Sequence, residues 1–188
     1  MPRLRLGMML VFVAALGLSS TGRVLAQASV QTQPIDPRGQ EITLPAKPIV
    51  YASGASTWDK AFDSLLEAFK TVRAYLDKAG IQPTGPAMTI YTSIDDTGFN
   101  FQAAIPVAEP PKTPPPADLT VGTSPGGKAL KFVHRGSFES TVTTYDEISH
   151  FVEEKQLDSK DVLIEEYTTD LLSTPEDKLV INIFVPIN

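Results

Sequence analysis

The chain has 188 residues, 42% of them hydrophobic, and a formal net charge of -6 at pH 7. This length and apolar content suffice for one well-buried domain but not for two large ones. The acidic balance argues against nucleic acid as a partner, because binding to phosphate backbones relies on clustered Lys and Arg. The sequence has no cysteine and only two histidines. We therefore predict no disulfide, no metal site and no cofactor.

The N-terminal residues 1–26 have the three-part pattern of a secretory signal peptide: basic residues, an apolar run and small residues at the cleavage point. These features are Arg3 and Arg5, residues 7–18, and cleavage after Ala26 or Ala28. The apolar run is shorter than the roughly 20 residues that cross a bilayer. We therefore expect a cleaved chain with no stable membrane span, located in the periplasm or secreted. Residues 27–40 are expected to form a flexible polar tail.

The predicted domain covers residues 41–188 and begins with a strand-helix-strand-strand unit, repeat 1, at about 41–107. Between Thr57 and Lys78, apolar side chains recur every three and four residues, the spacing of one helical face. They are Ala61, Phe62, Leu65, Leu66, Phe69, Val72 and Leu76. Runs of β-branched and aromatic residues predict the strands. These runs lie at 42–45, 48–53, 87–93 and 99–107.

Residues 108–118 contain five prolines, which predicts a stiff linker. Repeat 2, at about 119–188, follows the order of repeat 1, with a helix over 141–155 and strands at 128–136, 162–168 and 179–187. One face of this helix is apolar, with Val142, Tyr145, Ile148, Phe151 and Val152. Each repeat is too small to form a core alone, so we expect both to share one sheet. The predicted fold is α+β, with a mainly antiparallel curved sheet, two helices on one face, and the other face open for a ligand.

The stretch from Val162 to Tyr167 carries the candidate functional carboxylate. Side chains alternate along a strand, so Glu165 and Tyr167 share one face and Glu166 lies on the other. Val162 and Ile164 suit a helix-covered core. We therefore expect Glu165 and Tyr167 on the open face and Glu166 at the rim of the helix layer.

Aromatic residues elsewhere in the chain could line a pocket around Glu165. They are Tyr51, Trp58, Tyr91, Phe101 and Phe138. A carboxylate among aromatic rings can bind a flat cationic ligand, because ring faces also attract positive charge. With a raised pKa it can instead act as a general acid or base. Two simpler alternatives stay open: the aromatic residues are ordinary core, and Glu165 is a solvated residue beside Arg135 or Lys131.

Three motifs in the second half resemble those of the GyrI-like family, also called the AraC-type or bacterial transcription activator effector-binding domain. They are His134-Arg135-Gly136 followed by Phe138 and Glu139, Glu165 with Tyr167, and Ile183 with Pro186. The resemblance covers 41–188 and implies a duplicated two-layer fold related to SOUL domains. It also implies binding of small, often cationic aromatic compounds against a central glutamate. By its position in the second motif, Glu165 corresponds to this glutamate, and Tyr167 lies beside it. His134 of the first motif is a further candidate binding residue.

Our main hypothesis is that the protein is exported and binds a hydrophobic, aromatic ligand, which can be a cation. The first alternative is a hydrolase in which Glu165 activates water towards an electrophilic ligand, as the resemblance implies for some family members. The second is a protein-interaction or inhibitory module that uses the curved sheet face. We expect no role in transcription, since the sequence shows a signal-peptide pattern and no DNA-binding helix-turn-helix.

Overall fold

The computed structural model describes residues 39–188. The predicted signal peptide and most of the predicted tail therefore lie outside the described residues. The strands are β1 (Gln40–Leu44), β2 (Pro48–Thr57), β3 (Met88–Ile94), β4 (Gly98–Pro106), β5 (Thr120–Thr123), β6 (Gly127–Arg135), β7 (Leu163–Tyr167) and β8 (Val180–Pro186). The helices are α1 (Ala61–Ala79) and α2 (Thr141–Glu154), preceded by the 3-10 turns Trp58–Lys60 and Phe138–Ser140; a third 3-10 turn spans Glu176–Lys178.

The eight strands form one curved, open antiparallel sheet in the order β1-β6-β8-β7-β3-β4-β2-β5. This order is symmetric about the centre of the sheet. If each strand is replaced by its counterpart in the other repeat, the same order is obtained, read from the opposite edge. The two repeats meet at the centre, where β3 pairs with β7 and Thr89 lies opposite Glu165. The predicted duplicated α+β fold is confirmed.

The outermost strands are exchanged between the repeats. β1 belongs to the first half of the chain but pairs with β6 of the second half. β5 begins the second half but pairs with β2 of the first. Each repeat therefore supplies an edge strand to the other, which increases the apolar surface that the two bury together.

The two helices differ in how much they bury. α1 buries one residue in every turn, at Ala61, Leu65, Phe69, Val72 and Leu76, and ends at Gly80 with a φ of 67°, a left-handed conformation that glycine adopts readily. α2 buries only Thr141 and Ile148. Val142, which the sequence places on the inner face of α2, is 65% exposed. The second helix thus packs less closely than the periodicity predicts.

Each face of the sheet carries its own apolar cluster. The helices cover the larger one, which includes Tyr91, Tyr167, Leu179, Ile181 and Ile183. The opposite face holds a smaller cluster with Ile49, Met88, Ile90, Ile164 and Phe184. The prediction that Ile164 lies under the helices and Glu165 on the open face is therefore wrong. The alternation in β7 could not decide between the faces, because Leu163 and Ile164 pack into different clusters and both faces are apolar.

Candidate functional site

Glu165 lies near the centre of the sheet and has no exposed surface. Tyr91 Oη and Tyr167 Oη donate hydrogen bonds to its Oε2 at 2.9 and 2.8 Å, and Tyr145 Oη donates to its Oε1. Thr89 Oγ1 lies 2.9 Å from Tyr167 Oη. Because Tyr167 directs its proton to the carboxylate, Thr89 must donate to Tyr167. These five residues, the Glu165 cluster, form a network in which the three tyrosine hydroxyls donate to the carboxylate and Thr89 donates to one of these tyrosines.

Three elements assemble this cluster. β7 carries Glu165 and Tyr167 two positions apart, which places them on the same face. The neighbouring strand β3 supplies Thr89 and Tyr91 in the same way. α2 contributes Tyr145 from the layer above the sheet. The site therefore draws on both repeats and on both layers of the fold.

Glu166 lies on the opposite face of the sheet, as the alternation predicts. Asn182 Nδ2 donates to its Oε1 at 3.1 Å, and Lys47 Nζ is 3.8 Å from its Oε2. Its predicted position at the rim of the helix layer is wrong, because the helices cover the Glu165 face. The adjacent carboxylates thus have separate environments.

Burial raises the pKa of Glu165, while the hydrogen bonds from Tyr145, Tyr167 and Tyr91 and the proximity of His134 oppose that rise. Burial, together with the charge of Glu165, raises the pKa of all three tyrosines well above 10.0. The tyrosines consequently stay protonated and act as donors. Their hydrogen bonds favour the ionised form of Glu165, and an added positive charge would favour that form further.

A cavity of about 420 Å³ opens beside Glu165, between the first turns of the two helices. We call it the front chamber. Its aromatic lining comprises Trp58, Phe62, Tyr91, Phe138 and Tyr145. Its charged lining, besides Glu165, comprises Asp59, Asp63, Glu139, Glu176 and Lys60. Carboxylates outnumber the single lysine, so the chamber has a negative potential that favours cations.

A second cavity, of about 1060 Å³, adjoins the front chamber. We call it the α2 groove, because α2 forms one wall and residues of β3 and of the segment 159–163 form the other. The two cavities share Trp58, Tyr91, Val142 and Tyr145. A separate cavity of about 440 Å³ beside the β3–β4 hairpin contains no residue of the Glu165 cluster.

The structure brings several of the predicted site residues together. Trp58, Tyr91, Phe138 and Glu165 all line the front chamber. Trp58 is 45% exposed, although its ring packs on Phe99 with centroids 4.9 Å apart. An exposed tryptophan at the mouth of a cavity offers a ring face to a ligand.

Four other candidates do not line the chamber, and one of them, Phe101, is buried in the larger apolar cluster. Tyr167 is buried beneath it and reaches the site through its hydrogen bond to Glu165. Tyr51 packs against the cluster on the opposite face, so its predicted place in the pocket is wrong for the same reason as the face of Glu165. Buried His134 faces α2: its Nδ1 lies 2.9 Å from Thr144 Oγ1 and its Nε2 lies 3.0 Å from the Ser137 carbonyl oxygen. His134 thereby fastens the start of α2 to β6.

Tyr145 was not among the predicted site residues, because its place in the periodic pattern of α2 indicated only a contact with the apolar core. A buried tyrosine hydroxyl usually has a hydrogen-bond partner. Tyr145 lies on the inner face of α2, so its hydroxyl needed a buried acceptor. Because β7 is the acidic strand, this requirement could have predicted the contact between Tyr145 and Glu165. The acidic lining of the chamber was not predicted either, because Asp59 and Asp63 lie far along the chain from Glu139 and Glu176.

Within residues 39–188, no group of three or more His, Cys, Asp or Glu side chains has the arrangement of a metal site. In the same range, no helix combines the length and the apolar character that crossing a membrane requires.

Comparison with known proteins identifies the family. The model of the GyrI-like small molecule binding domain matches residues 40–188. No curated protein matches the chain. Similar solved structures include EcmrR in complex with DNA, with 15% identity and a TM-score of 0.69 over 80% of this chain and 57% of that one. The present chain thus spans little more than half the length of EcmrR.

Two further structures cover nearly the whole of the related protein. An uncharacterized conserved protein from Listeria innocua has 12% identity and a TM-score of 0.61, over 80% of this chain and 92% of that one. SAV2435 bound to tetraphenylphosphonium has 15% identity and a TM-score of 0.56, over 80% of this chain and 93% of that one. At these identities the likeness concerns the fold, whereas the family match spans most of the chain. The chain belongs to the GyrI-like small molecule binding domain family.

Proposed function

We propose that the domain binds a lipophilic aromatic cation in the front chamber, with Glu165 as its counter-charge. The observation that carries this proposal is a buried carboxylate beside an aromatic cavity, held by hydroxyl groups alone. Among residues 39–188, no lysine or arginine forms an ion pair with Glu165. Burying an unpaired charge is costly, so a ligand that brings the missing positive charge gains binding energy.

The lining of the chamber supports an aromatic cation over a small inorganic one. Trp58, Phe138 and Tyr145 offer ring faces that attract positive charge and exclude water. The acidic residues around them would attract a cation to the opening. SAV2435, a protein of the same fold, has been solved with tetraphenylphosphonium bound, a compound of this chemical class.

The same geometry favours binding over hydrolysis. Both carboxylate oxygens of Glu165 already accept tyrosine protons, and the side chain has no exposed surface. A general base needs a free oxygen in reach of the attacking water. The recessed position of Glu165 under two helices also suits a small molecule better than the flat surface of a protein partner.

Calorimetry with tetraphenylphosphonium tests the proposal, using two adjacent variants. We expect Glu165→Gln to weaken binding by about tenfold or more, because it removes a charge-assisted interaction. Glu166→Gln is the matched control, since it makes the same chemical change on the opposite face of the sheet. Equal loss of affinity in both variants, or in neither, would contradict the role of Glu165.

We also propose that the protein works outside the cytoplasm, after cleavage behind Ala26 or Ala28. The support is the pattern of residues 1–26, with its basic start, apolar run and small residues. Cell fractionation followed by N-terminal mass spectrometry tests this. Recovery of the uncleaved chain from the cytoplasm would overturn it.

Nucleic acid is not part of the proposed function. The net charge of -6 would repel phosphate groups. A gel-shift titration with duplex DNA at low salt, where non-specific binding is strongest, should show no complex. Salt-sensitive retardation would contradict this exclusion.

A further inference from the structure

The α2 groove exists because the two helices of a duplicated fold pack differently. In repeat 1, α1 places five buried side chains against the sheet. In repeat 2, α2 buries only Thr141 and Ile148. Six residues of α2 between Val142 and Glu153 border a cavity of about 1060 Å³. The looser packing of α2 thus leaves a groove along one side of this helix.

The groove is long and apolar. Seven of its lining residues are aliphatic: Ile94, Val142, Ile148, Val152, Val162, Leu163 and Val185. The part of α2 between Val142 and Glu153 is about 16 Å long at 1.5 Å per residue. The charged residues of the lining are Glu153, Lys160 and Asp161, and Glu153 lies at the end of this helix segment away from the front chamber. Such a surface suits an extended hydrocarbon chain rather than a polar molecule.

The groove and the front chamber adjoin each other, since four residues, Trp58, Tyr91, Val142 and Tyr145, line both. Tyr145 connects them chemically as well, since its hydroxyl holds Glu165 while its side chain borders the groove. One ligand can therefore place a charged group near Glu165 and an apolar group along α2.

We propose that the α2 groove is a second subsite, which takes the alkyl chain of a single-chain cationic amphiphile. The position of the cationic head in the front chamber rests on the proposed function; the position of the chain rests on the groove alone. Two exposed aliphatic side chains support this assignment, because Ile94 and Val142, 51% and 65% exposed, border the groove where the chain would cover them.

A series of alkyltrimethylammonium ions, from butyl to dodecyl, tests the subsite by calorimetry below the critical micelle concentration. We expect the affinity to increase about threefold to fourfold for each methylene that the groove buries. Ser149→Trp should flatten this dependence, because Ser149 is exposed and lines the groove. His150→Trp is the matched control: His150 is the next residue of α2, is also exposed, and is not part of the lining.

A measurement on the unmodified protein gives an independent reading. By hydrogen-exchange mass spectrometry, the dodecyl compound should slow exchange in α2 and in 159–163 more than tetraphenylphosphonium does. No dependence of affinity on chain length, an equal dependence in both tryptophan variants, or equal protection by the two compounds would overturn the subsite. Failure of tetraphenylphosphonium to bind would count against the proposed function instead, while a groove-specific dependence on chain length would still support the subsite.

Discussion

At Glu165, burial and hydrogen bonding act in opposite directions on one carboxyl group. Burial raises its pKa, and three tyrosine donors limit that rise. A cation in the front chamber would favour the ionised form and lower the pKa of Glu165 in the complex. Protonation and cation binding should therefore compete.

This competition predicts a pH dependence. Cation affinity should increase as the pH rises above 4.5, the ordinary value for glutamate, through the raised pKa of Glu165, and then level off. Titrations with tetraphenylphosphonium across this range should show the increase in the unmodified protein and in Glu166→Gln. A pH-independent affinity would show that Glu165 does not provide the charge. Glu165→Gln should lack the increase.

Tyr145 allows a finer test of the same network. Its hydrogen bond is the foremost of the effects that lower the pKa of Glu165, so Tyr145→Phe should raise that pKa further. The pH at which cation binding levels off should then move upwards. Tyr51→Phe serves as the control, because Tyr51 packs on the opposite face of the sheet. Identical pH profiles for the two variants would contradict the network.

The sequence predicted part of this site through strand alternation. It placed Glu165 beside Tyr167 and apart from Glu166, because the period of two is a property of the backbone. It could not say which face the helices cover, since both faces of β7 carry apolar side chains. It could not place Tyr145 either, because the contact between α2 and β7 depends on helix docking and not on local spacing.

At the scale of elements, the two helices occupy equivalent places but differ in packing. Periodicity predicted both helices, and α2 begins at Thr141 as expected. α1 begins at Ala61 rather than Thr57, because residues 58–60 form a 3-10 turn. The looser packing of α2 was not predictable from its apolar spacing, which resembles that of α1.

This difference predicts unequal local stability. Amides of α2 should exchange with solvent faster than those of α1, because α2 buries two residues and α1 buries five. Thr144→Val, which removes the hydroxyl that contacts His134, should speed exchange in α2 and leave α1 unchanged. Hydrogen-exchange mass spectrometry measures both effects. Equal protection of the two helices would contradict the packing argument.

At the scale of the whole molecule, the site and the sheet depend on both repeats. Tyr91 comes from repeat 1, whereas Tyr145, Glu165 and Tyr167 come from repeat 2. Besides the central pairing of β3 with β7, the exchanged edge strands β1 and β5 add two further strand pairings between the repeats. Neither half has its full set of strand partners alone, so we expect the sheet and the binding site to form together.

Dividing the chain in the proline-rich connection tests this dependence. Fragments 39–112 and 113–188 should each lack a cooperative thermal transition, because the cut separates β3 from β7, β1 from β6 and β5 from β2. Mixed together, they should regain the transition by circular dichroism and the binding of tetraphenylphosphonium. A first fragment shortened to 45–112 lacks β1, so β6 has no outer partner, and the mixture should melt at a lower temperature. A cooperative transition in either fragment alone would show that one repeat is an independent unit, and the strand exchange would then contribute stability without being required for folding.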